Sequence, residues 1–352
     1  MPVDPAALQP LGWKTTFAQQ LTLDEFEGFS VARVMAVQRA GLTLSPGPDT
    51  PQPLAGRWFQ LPAEERPTVG DWLLIDDSSG QIERILERSS LLKRIVPGRT
   101  SEVQLIGANV DVLFIVSSCN ADFNANRIER YLALAHESGA APVVVLTKAD
   151  LSAQVDDYAD AVRALDPALP LAIVNALDPD TLDEVRAWCR PGDTVALLGS
   201  SGVGKSTLLN ALAGHDLQLT GSIREDDAKG RHTTTHRSLH LLASGALVLD
   251  SPGIRELQIT ELDSGLARTF EDIETLAEQC RFNDCQHERE PGCAVQDALE
   301  SGDLEQRRLD SYNKLKREER YARETVAERR ARTKAFGKMT REIINEPPKR
   351  TS

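Results

Sequence analysis

Between residues 30 and 96 the apolar positions fall in short runs, among them Ser30–Val37, Trp72–Ile75 and Ile82–Leu86. Turn formers such as Pro46-Gly47-Pro48-Asp49 and Ser78-Ser79-Gly80 separate them. Short β-like runs without a helical period predict a small antiparallel barrel. The OB-fold is the commonest such barrel that binds nucleic acid, and a purely structural β-module fits the same pattern. Residues 1–29 ahead of it read as a polar leader.

From Gln104 onward continuous apolar strands alternate with helical stretches. The predicted strands are Val110–Val116, Pro142–Leu146, Leu171–Val174, Thr194–Leu198, Ser238–Leu242 and Ala246–Leu249, and the predicted helices include Arg127–His136 and Thr181–Cys189. That alternation predicts a parallel, doubly wound α/β sheet. Beyond Thr269 the period becomes helical, with Phe270, Ile273, Leu276 and Ala277 on one face. A Cys/His cluster and a basic segment follow. The expected division is a leader (1–29), a barrel (30–100), an α/β domain (101–268), a cysteine module (269–310) and a basic helical tail (311–352).

Composition narrows the class. The chain has 352 residues, 41% hydrophobic and 26% charged, as a globular multidomain protein has. No apolar run reaches the ~18–20 residues of a bilayer span, so no membrane partner is expected. The start, Met1-Pro2-Val3-Asp4-Pro5, lacks the basic and apolar regions of a secretory signal. Five cysteines, an odd number, are too few for a disulfide scaffold, and the chain reads as cytoplasmic. Net charge is −13, yet residues 311–352 carry 13 Lys and Arg against 6 Asp and Glu, a local +7, leaving −20 on the first 310. A basic segment on an acidic body can bind phosphate locally.

The chemistry enters with Gly199-Ser200-Ser201-Gly202-Val203-Gly204-Lys205-Ser206-Thr207, which fits G-x4-G-K-[ST] between a predicted strand and a predicted helix. Glycines let backbone N–H groups curl around phosphates, Lys205 reaches the β/γ oxygens, and the Ser206 hydroxyl ligates Mg²⁺. The chain therefore binds a nucleoside triphosphate. At the end of Ala246–Leu249 stands Asp250-Ser251-Pro252-Gly253, a D-x-x-G whose Asp250 holds Mg²⁺ and whose Gly253 N–H meets the γ-phosphate. Gly230-Arg231-His232-Thr233-Thr234-Thr235-His236 lies between the two as a switch loop. One of its threonines completes the Mg²⁺ shell; the sequence does not choose among them, and Thr234 is placed in the nucleotide set. Thr147-Lys148-Ala149-Asp150 offers a base motif of N-K-x-D type, Asp150 taking the N1–H and exocyclic amine of guanine. Asn175 and Ala176 offer a backbone N–H for guanine O6. These base elements precede the phosphate loop, the reverse of the ordinary order. A circular permutation produces that order without disturbing the sheet.

On these motifs the chain resembles the circularly permuted GTPases of the RsgA/YjeQ family, small ribosomal subunit biogenesis GTPases of bacteria. The resemblance covers roughly Ser30 to Arg332 and departs at Thr147, where the family pattern has Asn, a residue that also braces the phosphate loop. It implies an α/β fold: a circularly permuted P-loop GTPase domain with an N-terminal OB-fold β-barrel and a C-terminal helical zinc-binding module. It further implies a GTP hydrolase that binds the 30S subunit and its 16S rRNA, with GTP controlling residence and hydrolysis driving release. A P-loop ATP-using enzyme or kinase is the competing reading, and Asp150 discriminates against it. The chain is expected to be a monomer.

Cys280-x4-Cys285-x-His287-x5-Cys293 places three thiolates and an imidazole at the spacing of a closed tetrahedral site, predicting one structural Zn²⁺ per chain. Cys119 and Cys189, in apolar contexts, read as core. For hydrolysis, Ile254 stands where a water-orienting Gln follows D-x-x-G in Ras-like enzymes, so another group must act. His232 is the candidate, beside Lys205 as the charge-stabilising group.

Overall fold

The computed structural model describes residues 3–38, 41–47, 51–55, 65–95, 103–214, 237–251 and 262–323. Three short helices open it, α1 (Pro5–Leu8), α2 (Thr15–Ala18) and α3 (Leu23–Gly28), the last begun by a capping box between Thr22 and Glu25. Strands β1 (Phe29–Gln38), β2 (Gly41–Ser45), β3 (Gln52–Ala55), β4 (Trp72–Asp76) and β5 (Ile82–Ile85) form the antiparallel OB module. β1 is its hub, paired with β2 on one side and β4 on the other. β6 (Leu91–Ile95) then pairs antiparallel with β7 (Val103–Ala108). The boundary expected at 100/101 thus falls between two strands that bond to each other.

The nucleotide-binding layer follows. Its strands are β8 (Val112–Ser118), β9 (Ala141–Thr147), β10 (Leu171–Ile173), β11 (Thr194–Leu198), β12 (Arg237–Leu241) and β13 (Leu247–Asp250). Its helices are α4 (Ala125–Ser138), α5 (Val155–Arg163), α6 (Asp183–Arg186) and α7 (Lys205–Ala213). The order β10-β9-β8-β11-β13 is parallel throughout. Side chains on β8 alternate between the two faces of the sheet, Val112, Phe114 and Val116 against Leu113 and Ile115. Phe114 and Val116 meet Leu208 and Leu212 of α7, while Ile115 meets Ile128 and Leu132 of α4. Helices therefore cover both faces, as the continuous apolar strands require.

Two sequence expectations are corrected here. β12 is antiparallel to β13, because the Leu242–Ala246 connection is far too short for a parallel crossover. β12 also pairs with β1, so barrel and α/β layer share one sheet. The polar leader is in fact core: Leu8, Leu11, Trp13 and Phe17 are buried, and Trp13 meets Trp72 edge-on at 4.9 Å. Beneath them the buried Arg33 guanidinium donates to the carbonyls of Leu11, Gly70 and Asn109 and to Thr194 Oγ1. One cation thus ties the leader, the barrel and the first residue of β11 together. Burial lowers Arg33 to about 10 against the pull of Asp111 and Asp71.

Helices α8 (Asp263–Thr269), α9 (Glu271–Ala277), α10 (Ala294–Ser301) and α11 (Gln306–Arg323) complete the described chain. Phe270 and Ile273 face inward as their spacing predicts. Among the described residues no helix is long and apolar enough to cross a membrane.

Candidate nucleotide site and metal centre

In chain order β8, β9 and β10 step outward to one side, whereas β11 and β13 lie on the other side of β8. The strand order thus reverses between β8 and β11, the place where open α/β sheets bind ligands beyond their carboxyl ends. The phosphate loop leaves the end of β11 at this point. Gly199 must lack a side chain, since a Cβ there would run into the carbonyl oxygen of Val116. Gly204, the N-cap of α7, has φ +96°, in the left-handed region that favours glycine.

The Lys205 ammonium donates to the carbonyls of Gly199 (2.7 Å) and Ser200 (2.5 Å), which aim it across the loop it serves. Val203 is buried, while Ser201, Gly202, Ser206 and Thr207 are open to solvent. Asp250 ends the neighbouring strand β13, almost wholly buried. The two expected Mg²⁺ ligands thus stand at the end of β13 (Asp250) and in the first turn of α7, which follows the neighbouring β11 (Ser206). His232, Thr234 and Gly253, with Thr233, Thr235 and Ile254, lie outside the described residues.

The base motif sits at the end of β9 and touches the phosphate loop. Thr147 Oγ1 donates to Val203 O at 2.5 Å, with Ser117 O 3.2 Å away. Lys148, at φ +58°, turns the chain so that its ammonium donates to Gly202 O at 2.7 Å. Thr147 thus keeps a brace on the phosphate loop where the resembled pattern has Asn, a role sequence reading attached to Asn alone. Ala149 N–H donates to Val174 O at 3.4 Å, bringing Asp150 beside the loop of Asn175 and Ala176. That second loop is held by Thr181, whose hydroxyl accepts from Asn175 N–H and faces Asn175 O. Asp150 is exposed just beyond the carboxyl end of β9.

Two neighbours of the loop escaped the sequence reading, Asp122 and Arg127. Asp122 comes from the β8–α4 connection and Arg127 from the first turn of α4; neither carries a motif, and only the fold brings them beside β11.

The four expected metal ligands do converge. Cys280, Cys285, His287 and Cys293 offer ligand atoms that all lie within 4.8 Å of one another and can hold one metal ion. Cys280 Sγ is 3.8 Å from Cys293 Sγ, and His287 Nδ1 is 3.7 and 3.5 Å from these two sulfurs. His287 takes a left-handed conformation, φ +59°, to aim its ring inward. The intervening loop closes on Glu290, whose carboxylate accepts the N–H groups of Gln286, Glu288 and Arg289. Those backbone donors, Gln286 first, hold the Glu290 carboxyl down at about 2. Cys119 and Cys189 are buried elsewhere, and burial pushes the Cys189 thiol up to about 12.

A phosphate loop at the switch point, stapled to base loops that precede it in the chain, defines a circularly permuted P-loop GTPase. Known proteins agree. The family profile described as RsgA GTPase matches residues 85–260. Small ribosomal subunit biogenesis GTPase RsgA 2 of Vibrio vulnificus is 51% identical over 348 residues, covering 98% of this chain and 97% of that protein. Among solved structures, YjeQ from Thermotoga maritima has a TM-score of 0.59 at 26% identity, covering 82% of this chain and 97% of its own. YloQ, a circularly permuted GTPase, has a TM-score of 0.57 at 25% identity, with 84% and 97% covered. The chain belongs to the RsgA GTPase family, whose members hydrolyse GTP.

Proposed function

We propose that this GTPase acts late in maturation of the 30S ribosomal subunit, binding it with GTP and leaving on hydrolysis. The base motif stapled to the phosphate loop through Thr147–Val203 and Lys148–Gly202 carries the nucleotide half of this reading. Relatives of nearly equal length, named for small-subunit biogenesis, support the other half. The protein works as a cytoplasmic monomer. Contacts with 16S rRNA phosphates come from the basic segment 311–352, the metal module and the barrel. The leader and barrel form one unit up to about residue 85, the GTPase unit runs to 268, and the metal module extends through α11. Nucleotide-dependent cosedimentation tests the reading: 30S subunits should retain the protein with a GTP analogue and release it with GDP, and should accelerate GTP but not ATP hydrolysis. Equal retention in both states ends the switch proposal.

The proposed nucleotide contacts are Gly199 to Thr207, Thr234, Gly253 and the two base loops. Ser206 and Asp250 hold Mg²⁺, which when bound neutralises phosphate charge in the transferring group. Lys205, aimed by two carbonyls, adds a fixed positive charge at the β/γ oxygens. Asp150→Asn exchanges a double acceptor for one donor and one acceptor. Losing a charge-assisted bond of ~1.5–3 kcal/mol should weaken GTP binding roughly 10- to 100-fold and shift preference toward xanthine nucleotides. Unchanged GTP affinity by titration would remove Thr147–Asp150 from the base site.

His232 is proposed to position the attacking water, since Ile254 has no polar atom to do so. His232→Ala should cut 30S-stimulated turnover about 10²-fold while GTP affinity barely moves, as expected of a group acting mainly in the transition state. Normal turnover at saturating 30S would shift the assignment to His236 or to an rRNA group.

The metal is proposed to be zinc. Bonds of about 2.3 Å to sulfur and 2.0–2.1 Å to nitrogen at tetrahedral angles need S···S near 3.8 Å and S···N near 3.6 Å. The separations among Cys280, His287 and Cys293, 3.8 Å and 3.5–3.7 Å, support that reading.

A further inference from the structure

At the switch point three side chains close a ring against the phosphate loop. Arg127 Nη1 donates to Ser200 Oγ at 2.6 Å, and Ser200 Oγ donates to Asp122 Oδ2 at 2.6 Å. The same guanidinium nitrogen meets Asp122 Oδ2 at 3.0 Å. Ser200 is the second residue of the phosphate loop, and it faces two ways. Its hydroxyl is held by the Asp–Arg pair, while its carbonyl accepts the Lys205 ammonium at 2.5 Å. Whatever fixes the Ser200 peptide therefore fixes one of the two oxygens that aim Lys205.

The pair is itself held in place. Asn120 Oδ1 accepts from Asp122 N–H at 3.0 Å and from Ser118 Oγ at 2.9 Å, which orders the loop after β8. Asn124 caps α4 by accepting Arg127 N–H at 3.1 Å. On either side of Arg127 along the helix, Asn126 and Glu129 are bonded by Arg307 of α11. Arg127 thus projects from a helix gripped at both its cap and its outer face. The Asp122 and Arg127 side chains remain 45% and 33% exposed, so the pair contributes little to global stability and is placed to hold a local geometry.

We propose that Asp122 and Arg127 are positioning residues for GTP hydrolysis, acting through Ser200 to align Lys205 with the phosphates. The proposal rests on the phosphate-loop reading above. Lys205 touches the nucleotide in ground and transition states alike, but displacement of a charge-stabilising group by a fraction of an ångström tells mostly on the transition state.

The test uses the full-length, metal-loaded protein, with single-turnover hydrolysis and GTP affinity measured separately. Arg127→Ala should slow turnover roughly tenfold while GTP affinity stays within about threefold. Arg127→Lys, keeping a cationic donor, should recover most of that rate. Ser200→Ala should show a similar loss, and adding Arg127→Ala to it should cost nothing further, because the arginine acts through that hydroxyl. Asp122→Asn, on an exposed loop, repeats the test should Arg127→Ala fold poorly. Wild-type turnover in Arg127→Ala or Asp122→Asn overturns the proposal. So do additive losses in the double variant, or an affinity loss that matches the rate loss. Lys205→Ala separates the levels: if it binds and hydrolyses GTP normally, the phosphate-loop reading fails, whereas its collapse beside an unaffected Arg127→Ala removes the positioning role alone.

Discussion

Stripping the metal, or replacing Cys285 with Ser, is expected to unfold the segment around residues 280–293 while GTP binding continues. The four ligands are part of the packing as well as the coordination. Cys280, Cys285 and Cys293 lie with Leu276, Ala277, Val295 and Ala298 in one apolar cluster, and Cys293 is the N-cap of α10. Between the ligands the chain is mostly exposed polar side chains such as Asp284, Glu288 and Arg289, so it brings almost no core of its own. Without a cation, three thiols and an imidazole packed within 4.8 Å gain little from being together. Structural Zn²⁺ contributes on the order of 10 kcal/mol or more to such a loop, far beyond what one core side chain supplies. Elemental analysis should find about one zinc per chain, and Cys285→Ser should lose it. Hydrogen exchange in that variant should rise through 278–301, whereas α7 stays protected, because its buried side chains belong to a separate apolar cluster. A full-length protein free of metal, yet protected beyond residue 280, would sink the claim.

What the sequence disclosed divides along a physical line. The phosphate loop, the D-x-x-G start and the Cys/His spacing were legible because their chemistry is local: a few residues must be close in the chain to surround one phosphate or one ion. The buried strands β8, β9 and β11 were legible too, since being covered on both faces makes them apolar without interruption. The short strands β2, β3, β6 and β7 were not legible one by one, because four to six residues are too few to display a period. The leader misled for a related reason. Trp13 and Phe17 look isolated among polar neighbours, and their partner Trp72 is remote in sequence. The composition of β12 suits either strand direction, and only the tight connection to β13 makes it antiparallel. Arg127 could not have been singled out: it is one arginine in an ordinary amphipathic helix until β8 and β11 lie side by side. Thr147 is the intermediate case. Its place in a base motif was plain, but its bond to Val203 depends on a hydroxyl at the end of β9 reaching the phosphate loop at 2.5 Å.

Glu129→Ala should destabilise the protein by about 3 kcal/mol or more and loosen α11 from α4, the largest effect expected of any single substitution outside the metal ligands. The carboxylate is fully buried on α4 and accepts from Arg308 at 3.0 Å and from Arg307 at 3.1 Å. Arg308 is nearly as buried, and also bonds Asp272 of α9 and the carbonyl of Thr269 while lying 4.9 Å over the Phe270 ring. Burial by itself would lower the Arg308 pKa, yet Asp272 and Glu129 outweigh it and hold the guanidinium above its ordinary value. Removing Glu129 leaves a cation that stays charged under any accessible condition, desolvated and short of one counter-charge. The cavity left on α4 adds to that cost. Glu129→Gln keeps the volume and one acceptor oxygen but not the charge, so it should fall between wild type and alanine. Urea titration supplies the magnitude, and hydrogen exchange locates it: protection should fall in 306–318, where Arg130 and Glu318 form the next contact between the same helices at 2.7 Å. A shift below about 0.5 kcal/mol, the range of ordinary surface substitutions, would mean the buried pair breaks even against its desolvation and α11 is held by Tyr312, Leu309 and Leu315 packing alone.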